Sequence, residues 1–334
     1  MVTSTDLTTY LESRLEGASD IEVSGISRIP GGASRETWTF DATWREKGKY
    51  VERGFIMRRD PTGSLLESDR DVEFRIYQTM AKTDVPVPPM YWIEPSGANL
   101  QRPFFVMGRV AGQTNGGVLM SPAYAGSREE VARQKAAILA RIHRADWRSL
   151  GADDFLGAAP EDCAQAEIDR WERIMRQDML EPQPVLELAF RWLKRNKPKA
   201  PAVTIVHGDY RTGNFLFDEA NITAILDWEM VHLGDPLEDV GWLGIRSWRQ
   251  GTELSGGLVE PRRFYQMYEE AGGFPVDLKS ILFWEVLGNV KLAVIFLTGG
   301  RSLVEGKTGD LILAMTTRMI PGLEREILTL LEAA

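Results

Sequence analysis

The sequence predicts an α+β chain, with a small antiparallel β-sheet region followed by a larger, mainly helical one. Three features predict it. Between Ile21 and Arg59 apolar and polar residues alternate, most clearly at Trp38, Phe40, Ala42 and Trp44, which is the period of a half-buried strand. Beyond about Ala125 the apolar spacing becomes mostly helical. The one interruption of that helical stretch, residues 203–227, holds short apolar runs separated by polar turns. With 334 residues, 43% of them apolar, the chain can bury two cores, and the expected division is 1–109 and 110–334.

Taken in order, Thr5–Leu15 should form a short helix. Strands follow in IEVSGISRI, TWTFDATWRE and YVERGFIMRR, with Gly31 and Gly32 in the turn between the first two. Ser64–Lys82 reads as a helix with Val72, Ile76, Tyr77 and Met80 on one face. The VPVPP run ends it, because a residue before proline is driven out of the α region. MYWIEP and PFFVMGRV add two strands, and 112–117 has loop chemistry. The helix EEVARQKAAILARIHRADW carries His143 beside Leu139 and Ile142, as a core histidine would be. FWEVLGNVKLAVIFLTGG is interrupted by Glu285, Asn289 and Lys291 and reads as a buried helix, so no membrane span is expected.

Composition narrows the partners. A net charge of −9 and a pI near 5.1 argue against a general nucleic-acid binder. One cysteine, Cys163, excludes an internal disulfide, and three histidines leave no zinc cluster. The polar, acidic N-terminus is unlike a signal peptide, so a cytoplasmic location is expected. Oligomeric state is left open.

The chemistry concentrates in VTIVHGDYRTGNFLFDEANITAILDWE, residues 203–229. An apolar run ends in a polar loop, and two further runs form a hairpin with Asn214 at one end and Asp227 at the other. Pairing the runs brings both side chains to one mouth. Phosphoryl transfer from a nucleotide needs such a set: Asp209 to orient or deprotonate an acceptor hydroxyl, with Asn214 and Asp227 as oxygen ligands for Mg2+. The interval from Asp209 to Asn214 is the D-x-x-x-x-N spacing of protein kinases. His207 heads the loop and positions it through hydrogen bonds, with general-base duty as the rival reading. Arg211, inside the loop, faces a phosphate, an acidic acceptor or solvent. Metal-dependent hydrolysis is the competing chemistry, disfavoured by the shortage of histidines.

HGDYRTGN followed by ILDWEMVHLGDPLEDVGWL resembles the aminoglycoside phosphotransferase and choline kinase-like superfamily, relatives of the protein kinases. The LDWE…LGDPLEDV wording is most similar to the kinase-like domains fused to acyl-CoA dehydrogenases and to their free-standing bacterial cousins. The similarity runs from about Ile26 to the last helix. It implies a two-lobed protein-kinase-like fold with an active cleft between an antiparallel β-sheet N-lobe and a helical C-lobe. It also implies Mg2+, ATP (or GTP) as co-substrate, and a small hydroxylated acceptor. On the nucleotide side, Gly31, Gly32 and Ser34 of PGGASRETW would cap the phosphates. The third strand would supply a cation paired with a helical glutamate, here Glu73. That strand ends FIMRRDP without the usual lysine, so Arg58 takes the place, with Arg59 as the competing assignment. The departure leaves a nucleotide-binding pseudokinase as an alternative. Met107, Gly108 and Arg109 occupy the hinge, where the base meets backbone. Asp235 and Pro236 start a helix whose Asp239 would bond back to the loop, and Trp228 would pack in the core. Gly306-Lys307-Thr308 imitates the tail of a P-loop, but the required first glycine is Arg301.

For the acceptor, residues 241–334 hold ten basic against eleven acidic side chains, so the acidic bias that suits a polycation is absent. Arg246, Arg249, Arg262 and Arg263 favour an anionic hydroxy acid or hydroxyacyl thioester over an aminoglycoside or amino-alcohol.

Overall fold

A computed structural model describes residues 2–29, 36–60, 69–97, 100–307 and 315–334. The chain divides into two compact units, residues 1–78 with 88–110, and residues 79–87 with 111–334.

The first unit opens with helix α1 (Ser4–Glu12), started by a capping box: Thr3 Oγ1 accepts from the Asp6 N–H while the Asp6 carboxylate accepts from the Thr3 N–H. Strands β1 (Ala18–Ile29), β2 (Glu36–Glu46), β3 (Lys49–Arg59), β4 (Met90–Glu94) and β5 (Phe104–Gly108) form one antiparallel sheet in the order β1-β2-β3-β5-β4. One face buries Phe40, Trp44, Phe55, Met57 and Val106 against Leu7, Tyr10 and Leu11 of α1. Helix α2 (Arg70–Met80) sets Phe74 against Phe105 and Met107. The helix begins later than expected. Asp69 stays outside it and accepts a hydrogen bond from the Asp71 N–H, while 64–68 lie outside the described residues.

The second unit contains α3 (Gly116–Leu119), α4 (Arg128–Arg144), α5 (Asp153–Leu156), α6 (Cys163–Asp178) and α7 (Pro184–Arg195). Next come β6 (Thr204–Val206), β7 (Phe215–Asp218), β8 (Asn221–Ile225) and β9 (His232–Gly234). Helices α8 (Leu237–Gly244), α9 (Pro261–Glu270), α10 (Leu278–Val304) and α11 (Ile320–Glu332) complete it. The strands pair as two short antiparallel ribbons, β6 with β9 and β7 with β8. Two details differ from the sequence reading. Part of the 112–117 loop is helical, because Asn115 caps the Gly117 N–H. Strand β9 escapes a search for apolar runs, since only Leu233 and its neighbours pair with β6.

Helix α10 is the axis of this unit, touching α6, α7, α8 and α11. It is long and apolar enough to cross a membrane, yet 72% of its most apolar window is buried by its neighbours. Gly241 lets α8 close on it: a Cβ there would stand 2.5 Å from Trp284 Cβ. Gly300 and Arg301 lie inside α10, so the first positions of the P-loop look-alike are helical.

Candidate active site

Strand β6 runs directly into the loop 207–214, and the first turn of that loop depends on a glycine. Gly208 sits at φ +81°, and a Cβ on it would come within 2.4 Å of the Met230 carbonyl oxygen. The loop backbone is anchored from α8: Asp239 accepts from the N–H groups of His207 at 2.8 Å and Gly208 at 2.9 Å. Asp239 also meets His143 Nε2 at 3.1 Å, whose other ring nitrogen meets Tyr268 Oη at 2.7 Å, so His143 is a hydrogen-bonded core histidine. Burial alone would raise the Asp239 carboxyl, but the bonds from the His143 ring and the His207 backbone N–H hold it below the usual range.

His207 is fully buried with both ring nitrogens committed. Nδ1 accepts from the Asp209 N–H at 3.1 Å, which leaves Nε2–H to donate to the Leu226 carbonyl at 3.0 Å. Burial lowers its pKa against the pull of Asp239 and Asp209, and the neutral ring braces the loop between two strands. Trp228 packs on it with ring centroids 4.5 Å apart.

Asp209 receives three side-chain donors. Oδ1 accepts from Trp242 Nε1 at 2.8 Å and from Arg211 Nε at 3.1 Å, and Oδ2 accepts from Asn214 Nδ2 at 2.6 Å. Arg211 is therefore folded onto Asp209, with its guanidinium 4.6 Å from the Trp248 ring. The Asn214 amide also donates to the Asp209 carbonyl at 3.0 Å, and this fixes its orientation and turns Nδ2 inward. Phe215 pairs with Ile225, and the Leu226 N–H donates to the Asn214 carbonyl at 2.8 Å, so Asn214 and Asp227 stand at the same end of the β7–β8 ribbon. Asp227 adopts φ +67°, a left-handed conformation that Asp tolerates better than most residues. An amide oxygen whose nitrogen is already spent, beside a carboxylate, fits the all-oxygen preference of Mg2+.

Behind the loop lies a buried ionic chain. Lys291 Nζ, from α10, donates to the Gly208 carbonyl at 2.6 Å and lies 3.3 Å from Glu238. Glu238 meets His232 Nε2 at 3.0 Å, and Glu167 lies 3.7 Å from the same nitrogen. Burial would lower the His232 imidazole, but Glu167 and Glu238 push it up to about 9. Glu167, His232 and Glu238 are close enough to chelate a metal. A protonated imidazole and Lys291 already balance the two carboxylates, which makes this an ion cluster. Lys135, on α4, is fully buried with Nζ 5.0 Å from the ring centroids of both Tyr210 and Phe215. Burial, with the charge of Arg211, lowers its pKa well below the ordinary range, against the pull of Asp209 and Asp239.

In the first unit, Arg58 pairs with Glu73 at 2.9 Å, both buried. Arg59 turns instead to Glu36 at 2.7 Å and to the Trp38 ring, so of the two arginines it is Arg58 that meets the glutamate of α2. Met107 is buried in β5. The N–H groups of Gly108 and Arg109 donate to the Pro89 and Gly54 carbonyls, and the Arg109 side chain bonds Asp41. Gly31, Gly32 and Ser34 lie outside the described residues.

The sequence reading missed Trp242 and Lys291. Trp242 stands three residues after Asp239, on the same face of α8, and Lys291 is the one cation in the apolar stretch 283–300 of α10. Both signals were available once Asp239 was placed against the loop.

Comparison with known proteins agrees with the fold. Acyl-CoA dehydrogenase family member 10 of Mus musculus is 29% identical over 246 residues, covering 68% of this chain and 22% of its own length. Acyl-CoA dehydrogenase family member 11 of Mus musculus is 27% identical over 308 residues, covering 86% of this chain and 38% of its own length. The chain thus spans well under half of these relatives. A crystal structure from Ralstonia eutropha JMP134, solved as a candidate aminoglycoside phosphotransferase, superposes with a TM-score of 0.75 at 22% identity, covering 99% of this chain and 98% of that one. The GDP and kanamycin complex of APH(2″)-IIIa gives 0.64 at 14% identity, covering 96% and 98%. The model of the phosphotransferase enzyme family matches residues 25–278. By that match, which takes in the loop, the hairpin and α8, this chain belongs to the phosphotransferase enzyme family.

Proposed function

We propose that the protein is a magnesium-dependent kinase that moves the γ-phosphate of ATP or GTP to a hydroxyl of a small metabolite. The observation that carries this reading is the buried Asp209–Asn214 pair at the mouth of the β7–β8 ribbon, with Asp227 beside it. Asp209 orients the acceptor hydroxyl and takes its proton. Asn214 and Asp227 would hold Mg2+, which neutralises charge on the phosphate oxygens during transfer. Arg58, steadied by Glu73, is the cation assigned to the α/β-phosphates, and Gly31, Gly32 and Ser34 are the residues assigned to cap the nucleotide phosphates. Met107 and Arg109 flank the base. His207 and Asp239 hold the loop in register. Arg211 neutralises Asp209 and keeps it from being repelled by the incoming phosphates. The family's nucleotide use is supported by relatives solved with GDP.

For the acceptor, a hydroxyacyl thioester or another anionic hydroxy acid remains the preferred class, now chiefly because the relatives are acyl-CoA dehydrogenase family members. The arginines support it less than their sequence positions promised. Arg246 and Arg249 are paired with Glu253, and Arg263 with Glu129.

Two measurements test the reading: magnesium-dependent nucleotide binding, and nucleotide consumption with a panel of hydroxylated metabolites, for wild type and Asp209→Asn. Asp209→Asn should lower kcat by about 10²–10⁴-fold while nucleotide affinity is retained. Nucleotide binding with no transfer to any acceptor would favour the pseudokinase instead.

A further inference from the structure

We propose that Trp242 is a positioning residue that saturates Oδ1 of Asp209 and thereby dedicates Oδ2 to the acceptor hydroxyl. The inference rests on the kinase reading above and adds a residue and an atom to it. An ionised carboxylate offers about four acceptor positions, two on each oxygen. On Oδ1 both are used, by Trp242 Nε1–H at 2.8 Å and Arg211 Nε–H at 3.1 Å. On Oδ2 there is one short bond, from Asn214 Nδ2 at 2.6 Å, with Arg211 Nε more distant at 3.3 Å. The second direction on Oδ2 is therefore held only by the longer arm of an N–H shared with Oδ1, and an incoming O–H can take it.

Trp242 is suited to this task because an indole N–H can only donate, so it cannot exchange roles with the acceptor. Its ring is also fixed. Trp242 is 2% exposed, with Lys291 Nζ 4.7 Å from one ring centroid and the Trp248 ring 5.4 Å away. Lys291 is held in turn by the Gly208 carbonyl and Glu238, and Trp248 lies against the same Arg211 that shares Oδ1. A half-turn about the last torsion of Asp209 only exchanges its two equivalent oxygens; what the indole N–H fixes is the tilt of the carboxylate plane, which would otherwise carry the oxygen that meets Asn214 away from the acceptor's direction. In the transfer step the acceptor oxygen bonds to the γ-phosphorus as the bond from that phosphorus to the β,γ-bridging oxygen breaks. The electron pair leaves with the nucleoside diphosphate, and the hydroxyl proton passes to Asp209 Oδ2.

The test compares wild type, Trp242→Phe, Asp209→Asn and a protein carrying benzothienylalanine at 242, which keeps the bicyclic shape and removes only the N–H. The probe is magnesium ATP, read as ADP formation with water as acceptor and in parallel with hydroxyacyl-CoA esters. Both Trp242 replacements should lower kcat about ten- to hundredfold with the KM for ATP within about twofold, because a hydrogen bond to a charged group is lost where only the transfer step uses it. The substrate-free protein supplies a second readout. The indole N–H resonance that disappears in Trp242→Phe should move upfield and exchange faster with water in Asp209→Ala. An inactive Asp209→Asn beside a benzothienylalanine protein of normal kcat would overturn the role of Trp242 and leave the kinase reading intact. Full turnover by Asp209→Asn would overturn the assignment of Asp209 and the present inference with it. A loss of ATP affinity proportional to the loss of kcat in the benzothienylalanine protein would reduce Trp242 to a structural residue.

Discussion

Gly208 and Asp227 are single positions where backbone conformation and chemistry meet. At Gly208 a methyl group would collide with the Met230 carbonyl and would also have to accept φ +81°. Gly208→Ala should therefore lower stability by at least about 2 kcal/mol, measured by urea unfolding, and should weaken turnover through the displaced loop. Asp227 follows the end of β8 at a left-handed φ, which turns the chain away from the ribbon just after the carboxylate. Asp227→Ala should abolish magnesium-dependent nucleotide binding while leaving the ribbon folded, since the Leu226 to Asn214 bond is between backbones. Calorimetry with and without Mg2+ checks this, and unchanged magnesium dependence would remove Asp227 from the metal site.

Helices α8 and α10 act together on the loop, α8 through Asp239 and Trp242 and α10 through Lys291. The ion cluster joining them to α6 and β9 gives this support a pH dependence. His232 has its folded pKa raised to about 9. Folding therefore gains most from it below the ordinary imidazole value of about 6.5, and the gain disappears as pH rises through about 9. Lys135 runs the other way. Its folded pKa is lowered by burial, so the amine binds a proton less readily folded than unfolded, and its penalty eases as pH approaches the ordinary lysine range. Melting temperature against pH for wild type and His232→Gln should show curves that are separated at neutral pH and converge above about pH 9. Lys135→Met should flatten the opposing rise. Parallel wild-type and His232→Gln curves would show that His232 is not charged in the folded protein.

Over the whole chain, each unit has its own buried core, and the loop, hairpin and supporting helices all lie in the second. In that unit Arg246, Arg249 and Arg263 are paired with glutamates, so a strongly cationic acceptor pocket is not to be read from charge counts. The expected outcome of a competition between hydroxyacyl-CoA esters and aminoglycosides is nucleotide consumption with the former. Efficient aminoglycoside turnover with no response to any hydroxyacyl ester would reverse the preference. The chain spans only part of its acyl-CoA dehydrogenase relatives, so the experiment belongs on this chain by itself.

The fold class was legible because periodicity is a local property: Phe40, Ala42 and Trp44 alternate in β2, and the β7–β8 ribbon announced itself through two apolar runs and a polar turn. The spacing of Asp209, Asn214 and Asp227 was legible for the same reason, since one loop and the hairpin that follows it directly contain all three. Strand β1 was less plain, because its pairing with β2 slips near Ser19 and Ser24 and breaks the alternation. The particular partners of Trp242 and Lys291, and the choice between two neighbouring arginines, needed the tertiary structure. The choice of Arg58 over Arg59 as partner of Glu73 follows from strand β3 meeting α2, not from the RR doublet. Trp242 reaches Asp209 across 33 positions, and Lys291 reaches Gly208 across 83. A donor becomes a partner only when packing removes its water and leaves one acceptor within reach, and that depends on how α8 and α10 close over the loop.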